Sequence, residues 1–325
     1  MPGPITLSSP PRCEAQEVKL IDGWPLAKPA QNWKMDEKIV PLLKPRSWSR
    51  RIRLAIIAGV TIVAAIVLIS VPRVPLDAHY HDFADARTIC GIPNAFDVLS
   101  NIPFLIVGLW GVCWLLAPPS RASFSDNRER VPYLVFFAGV ALTGAGSFWY
   151  HLAPSDSRLP WDLLPMTCSF VSMVVVTFME RISARVGTIA LVPLLLLGIS
   201  SVAYWSISES NGHGDYKYYL FVQFFSPVVL GLIVTLFSPR YTGMRYLVLA
   251  FCLFVAAKLF ELFDGQIYGW GTLVSGHTLK HLTAGISCYW ILRMLQVRYT
   301  LAEARRREAA IEPRQGECLA DQKQA

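Results

Sequence analysis

Residues 131–151 read VPYLVFFAGVALTGAGSFWYH, twenty-one positions with no Asp, Glu, Lys or Arg, closing on a histidine. A helix of that length covers about 30 Å, the thickness of a bilayer's hydrocarbon core. The apolar run is continuous rather than alternating, so it predicts a membrane-crossing helix and not a barrel strand. Ser147 and His151 stand four apart at its end and share one face. Polar groups at that depth are costly unless something binds them together.

Outward from this stretch, similar windows occupy 53–72, 98–117, 161–179, 186–205, 218–237, 244–263 and 276–297. Eight crossings are expected, which makes the chain an all-α integral membrane protein. Its architecture is read as a seven-helix transmembrane bundle plus one extra N-terminal transmembrane helix. The 53% hydrophobic content of the 325 residues and the positive mean hydropathy agree. Domain limits follow: 1–52 a flexible cytoplasmic tail, 53–72 an uncleaved anchor, 73–297 the seven-helix bundle and 298–325 a second flexible cytoplasmic tail. Window 53–72 lies behind a long polar, Pro-rich stretch with no convincing cleavage site, unlike a signal peptide.

The net charge of +7 is distributed, not patched. Arg50 and Arg51 precede the first window and Arg53 opens it. Arg128 and Arg130, Arg181 and Arg185, Arg240 and Arg245, then Arg293 and Arg298 mark every second boundary. The intervening loops carry Asp77, Asp82, Asp85, Asp156, Glu209, Asp215 and Asp264. This is the positive-inside pattern, which places both termini in the cytoplasm and calls for no nucleic acid. Seven scattered cysteines include no CxxC pair, so neither a disulfide framework nor sulfur ligation is expected.

Pro154 and Pro160 break the chain after His151, and Asp162 opens the next helix. His277 and His281 repeat the four-residue spacing at the start of window 276–297. By the charge pattern, His151, Asp162 and His277 all lie at the external end of the bundle. Three neutral imidazoles leave a fourth tetrahedral position open, the arrangement of a catalytic zinc. His151, His277 and His281 are therefore the candidate zinc ligands. Asp162 suits proton transfer and Ser147 suits oxyanion stabilisation or positioning. His79, His81 and His213 are read as solvated. Lys258, Glu261 and Asp264 form a second ionisable cluster, read as a structural ion pair, with the alternative that it grips a polar headgroup or tunes Asp162. Phe148, Trp149 and Leu163 offer an apolar wall to an acyl chain.

Ser147-x3-His151-x10-Asp162 followed by Leu-Pro-Met, with the late His277-x3-His281, resembles the alkaline ceramidases. Their wider relatives are seven-helix zinc hydrolases that include the adiponectin receptors, and the likeness covers about residues 80–297. The resemblance implies hydrolysis of the amide bond of a ceramide or another N-acyl lipid in the membrane, giving a fatty acid and an amine. It also implies Zn2+ on the three histidines, with Ser147 and Asp162 beside it. Eukaryotic members bind calcium through an acidic stretch before the first core helix. Here residues 82–87 read DFADAR, so Asp82, Asp85 and the later Asn94 are the candidate Ca2+ ligands, with Arg87 an unfavourable neighbour that can instead pair with Asp85. Lys280, beside the histidine stripe and one residue out of it, is a further departure from those members. The alternative to an enzyme is a membrane receptor holding a structural zinc with little turnover.

Overall fold

The computed structural model describes residues 48–306. Most of the two tails, and with them Cys13 and Cys318, lie outside the described residues. The elements are α1 (Arg50–Ser70), α2 (Ala95–Leu99), α3 (Ile102–Leu116), α4 (Arg130–Leu152), α5 (Leu159–Arg181), α6 (Ala184–Ser210), α7 (Lys217–Leu236), α8 (Met244–Leu262), α9 (Asp264–Gly269) and α10 (Gly276–Val297). Only isolated bridges occur besides helices among the described residues, so the protein is all-α. Six spans are long and apolar enough by themselves to cross a membrane: α1, α2 with α3, Asn127–Leu152, α5, α6 and α7. The two remaining long helices carry the polar residues: Arg245, Lys258 and Glu261 in α8, and His277, Lys280, His281 and Arg293 in α10. Both nevertheless belong to the bundle, α10 packing on α8 and α3.

The helices start and stop where their chemistry requires. Ser275 caps α10 by accepting from Thr278 N, and Ser183 caps α6 by accepting from Val186 N. Pro160 occupies the first turn of α5, where its missing N–H costs nothing. Pro165 lies inside that helix and leaves the Trp161 carbonyl without its helical donor. Gly146 of α4 uses this gap: a Cβ there would stand 1.9 Å from the Trp161 oxygen. Any larger residue would force apart α4 and α5, the most extensively packed pair in the bundle.

An interior cluster of Phe104, Val107, Leu115, Phe137, Leu292 and Leu295 joins α3, α4 and α10. Towards the ends where His151 and Asp162 lie, Tyr150, Leu159, Leu163, Trp205, Tyr216 and Tyr219 form a second cluster, with Tyr80 and Phe83 against it. The opposite end is tied by ions and aromatics. Arg298 donates to Glu180 at 2.5 Å and to the Tyr133 hydroxyl, and lies over the Tyr241 ring at 4.1 Å. Arg240 and Tyr241 both bond Glu129. α1 has no buried residue and lies along α7, where Arg53 donates to the Leu236 carbonyl at 3.0 Å. The cysteines among the described residues are all free.

Candidate functional site

The end of α4, the beginning of α5 and the beginning of α10 meet at one end of the bundle. Gly276 makes this possible, since a Cβ at that position would stand 2.2 Å from the Phe260 carbonyl of α8. The next residue's backbone N–H is then secured by Asp264, whose Oδ1 accepts from His277 N at 2.6 Å. The Asn94 amide donates to the His151 carbonyl at 2.8 Å, satisfying an acceptor in the last turn of α4.

His151, His277 and His281 are all buried, and one ligand atom from each lies within 4.8 Å of the others. The Nε2 atoms of His151 and His277 are 3.3 Å apart. Two nitrogens held at 2.0–2.1 Å by one tetrahedral ion would stand about 3.3 Å apart. Ser100 Oγ donates to the Asp97 carbonyl at 3.0 Å, so it receives the His281 Nδ1 proton at 2.9 Å. That assigns the His281 tautomer and leaves its Nε2 lone pair free, the usual role of a partner behind a metal-binding imidazole. His151 Nδ1 is buried without a partner among the described residues. A buried knot of three imidazoles, with two Nε2 atoms facing each other and a third ring held in the ligating tautomer, fits a divalent zinc-type cation.

Ser147 and Asp162 lie beside the triad. The Ser147 hydroxyl bonds the Asp162 carboxylate, and both groups are buried. With His281 they line a cavity of about 190 Å³ that runs between α4, α5, α7, α8 and α10. Phe104, Phe136, Met166, Phe170 and Phe254 form much of its wall. The expected acyl wall is corrected here. Trp149 is exposed and lies under Arg158 at 3.9 Å, while Leu163 is packed into the aromatic cluster. These side chains point away because the cavity lies on the Ser147–Asp162 face of α4 and α5. The cavity is bounded by α7 and α8, whose backbones pack little on each other, with Lys258 of α8 lying over the Phe224 ring of α7 at 5.6 Å.

Residues 71–94 strap the site from outside. The Phe83 ring lies 4.6 Å from that of His151 and 4.5 Å from that of His277. Ala84 N donates to the second oxygen of Asp264. Tyr80 bonds the Tyr216 hydroxyl at 3.0 Å, and burial pushes the Tyr80 hydroxyl up to about 12. His81, read from sequence as solvated, is partly buried between the Tyr150 hydroxyl at 2.7 Å and Asp156 at 2.9 Å. His79 and His213 are exposed, as expected.

The candidate calcium residues have other partners. Asp82 bonds His79, and Asn94 is spent on the His151 carbonyl. Asp85 is gripped by Arg87 through Nε at 2.7 Å and Nη2 at 2.6 Å, and this hydrogen bonding holds its carboxyl below the usual carboxylate range. The Lys258–Glu261 pair forms at 2.6 Å, as its spacing suggested. Asp264 does not join it, being occupied by His277 N and Ala84 N. Lys280 joins instead, at 2.6 Å from Glu261. Its Nζ is also 3.4 Å from His277 Nε2, so it does not point away from the stripe.

Sequence reasoning missed Ser100, Asp97 and Phe83. Asp97 Oδ1 accepts from Thr278 Oγ1 at 2.5 Å and from Ser275 Oγ at 3.3 Å, tying the short helix α2 to the start of α10. The available signal was the polar trio Asp97, Ser100 and Asn101 at the start of an otherwise apolar stretch, one face of which had to meet buried polar partners.

A family model described as Ceramidase matches residues 82–313, more than two thirds of the chain. No curated protein and no solved structure matches it.

Proposed function

The chain belongs to the ceramidase family, and from that premise we propose that it is a zinc amidohydrolase of ceramide-like N-acyl lipids. Family membership supports ceramide hydrolysis as the general activity, in which water adds to the amide carbonyl carbon and the C–N bond breaks. In this reading His151, His277 and His281 hold the ion. When bound, zinc supplies a polarised substrate carbonyl and a water that loses its proton near neutral pH. Asp162 is placed to take a proton from the attacking water as the new C–O bond forms at the amide carbon, and to deliver it to the departing amine nitrogen as the C–N bond breaks. Ser147 donates to the Asp162 carboxylate and holds it in place; once Asp162 carries a proton, the Ser147 O–H is released and can turn to the developing oxyanion. The fatty acyl chain occupies the apolar cavity, entered sideways from the bilayer between α7 and α8. Residues 73–297 form the catalytic unit and α1 is an added anchor. The Arg-rich end faces the cytoplasm and the histidines lie near the external face.

The observation that carries this reading is the juxtaposition of three buried imidazoles with the Ser147–Asp162 pair at the wall of an apolar cavity. Calcium at Asp82, Asp85 and Asn94 is not part of it, because Asp85 would have to leave Arg87. The test is fatty-acid release from a panel of ceramides and other N-acyl lipids by detergent-purified protein, with zinc content measured on the same samples. Release by the parent and none by His281→Ala, which should also lose its zinc, is the expected result. Zinc bound at one per chain without release from any lipid would overturn the amidohydrolase reading in favour of a receptor with a structural zinc.

A further inference from the structure

The hydrogen-bonding side chains on the cavity wall are nearly all engaged within the protein. Thr143 donates to the Gly139 carbonyl at 2.8 Å, Ser169 to Pro165 at 3.1 Å, Ser226 to Val222 at 2.6 Å and Ser287 to Ala250 at 2.8 Å. Glu261 bonds both Lys258 and Lys280, and together with Asp162 it balances their charge. His281 is held by Ser100, and Ser147 bonds Asp162. Gln223 of α7 is the exception. It is only 6% exposed, lines the cavity and has no side-chain hydrogen bond among the described residues. Burying an amide is unfavourable unless something answers it.

Depth and chemistry narrow what that can be. Gln223 stands six residues after Lys217 at the start of α7, and His281 five residues after Gly276 at the start of α10. Both helices begin at the histidine end, where Tyr216 meets Tyr80. The amide therefore faces the first few carbons of a chain whose carbonyl is held at the histidines. Water can meet an amide in an open cavity of this size. An acyl chain filling the space displaces it, and a bare alkyl chain offers nothing in return. A carboxamide presents a donor and an acceptor side by side, and a hydroxyl is the small group that answers both. A carboxylate would leave the amide oxygen unpaired, and an ammonium would leave its N–H groups unpaired.

We propose that Gln223 is a specificity-determining residue that hydrogen-bonds a hydroxyl on the acyl chain close to the scissile carbonyl, so that the preferred substrate is an N-(hydroxyacyl) lipid. The inference rests on the amidohydrolase reading and names its substrate class. A hydroxyl on the amine half is the other source of the same chemistry, and the assay separates the two.

The experiment measures fatty-acid release by the zinc-loaded parent from sphinganine carrying a palmitoyl, an α-hydroxypalmitoyl or a β-hydroxypalmitoyl group. N-palmitoyl octadecylamine, with no hydroxyl in either half, completes the panel. The better hydroxyacyl lipid is expected to exceed its palmitoyl counterpart in kcat/KM by at least about tenfold, because the site rejects a chain that leaves its amide unpaired. Gln223→Met, unbranched and of similar length, should erase that preference, the hydroxyacyl lipid falling and the palmitoyl lipid rising. A merely structural role would move all the lipids together. The parental preference is itself a test should Gln223→Met fold poorly. No preference for either hydroxyacyl lipid, or one that survives Gln223→Met, would overturn the assignment while leaving the amidohydrolase reading intact. A preference for sphinganine over octadecylamine that vanishes in Gln223→Met, with the acyl hydroxyls indifferent, would overturn the acyl assignment in favour of the amine half. Absence of release from all four lipids would sink the amidohydrolase reading and the subsite with it.

Discussion

Ser100→Ala removes a single hydroxyl from behind the histidine cluster, and its consequence can be worked out without reference to turnover. Ser100 is buried, donates to the Asp97 carbonyl and accepts from His281 Nδ1. Alanine keeps the Cβ and leaves the backbone of α2 undisturbed, so little packing is lost. With a cation on His281 the ring cannot turn, and Nδ1–H loses Ser100 and keeps only the Asp97 carbonyl as acceptor in a dry environment. The upper bound on the loss is the cost of an unpaired buried donor, about 1–3 kcal/mol. Without the cation the imidazole is free to shift its proton or rotate, which relieves most of that cost. The penalty should therefore fall on the bound state. Loss of such an orienting partner weakens metal binding by roughly 10–100-fold, equivalent to about 1.4–2.8 kcal/mol, in agreement with the first figure. The assay is competition for zinc against a chromophoric chelator, using detergent-purified parent, Ser100→Ala and Ser100→Thr. Thermal unfolding of the zinc-free forms runs in parallel. Weaker binding in Ser100→Ala, largely recovered in Ser100→Thr, is expected. Parental zinc affinity in a normally folded Ser100→Ala protein would refute the orienting role and with it the His281 tautomer.

Three further outcomes follow from the same geometry. Asp162→Asn should retain zinc while fatty-acid release falls by roughly 10²–10⁴-fold; loss of the metal instead would make Asp162 a fourth ligand. Gly146→Val drives a side chain into the Trp161 carbonyl, 1.9 Å from the first added carbon, and should cost about 1–3 kcal/mol; an undiminished Tm would contradict the close α4–α5 approach. Hydrogen bonding to Arg87 depresses the Asp85 carboxyl in the folded protein, so the stabilisation is present above the ordinary carboxylate value of about 4 and fades as pH falls through the lower folded value. Thermal unfolding measured from neutral pH downward should show this acid loss in the parent and a weaker one in Arg87→Met, and superimposable acid limbs would exclude the pair as its source.

Most of the helical framework was legible because the bilayer imposes a length. Window 131–151 is the helix Arg130–Leu152, and window 276–297 is Gly276–Val297. Windows 98–117 and 186–205 were less well delimited. The first conceals a break, with α2 ending at Leu99 before α3 begins at Ile102, and α6 runs on to Ser210. Turn chemistry at Ser100 and Asn101 makes that break, and an apolarity window cannot see it. The metal-ligating candidates were legible for a related reason: histidine is expensive in a membrane helix, so its four-residue spacing stands out against an apolar background.

Partners of the buried polar groups were not legible. Ser100 and His281 are 181 positions apart, and nothing near either residue names the other. Lys280 looked displaced from the histidine stripe because helical periodicity fixes where a side chain leaves the backbone. A lysine's long flexible stem then lets its charge travel to Glu261 on a neighbouring helix. Asp264 seemed to belong with Lys258 and Glu261 by proximity in the chain, yet a new short helix begins there and turns it towards His277 N. The sequence by itself determined the class of fold, the positions of the long helices and which residues were too polar to be idle. Only the tertiary structure decided who meets whom at the cavity, because helix crossings and loop paths arise from packing over the whole bundle and not from any local pattern.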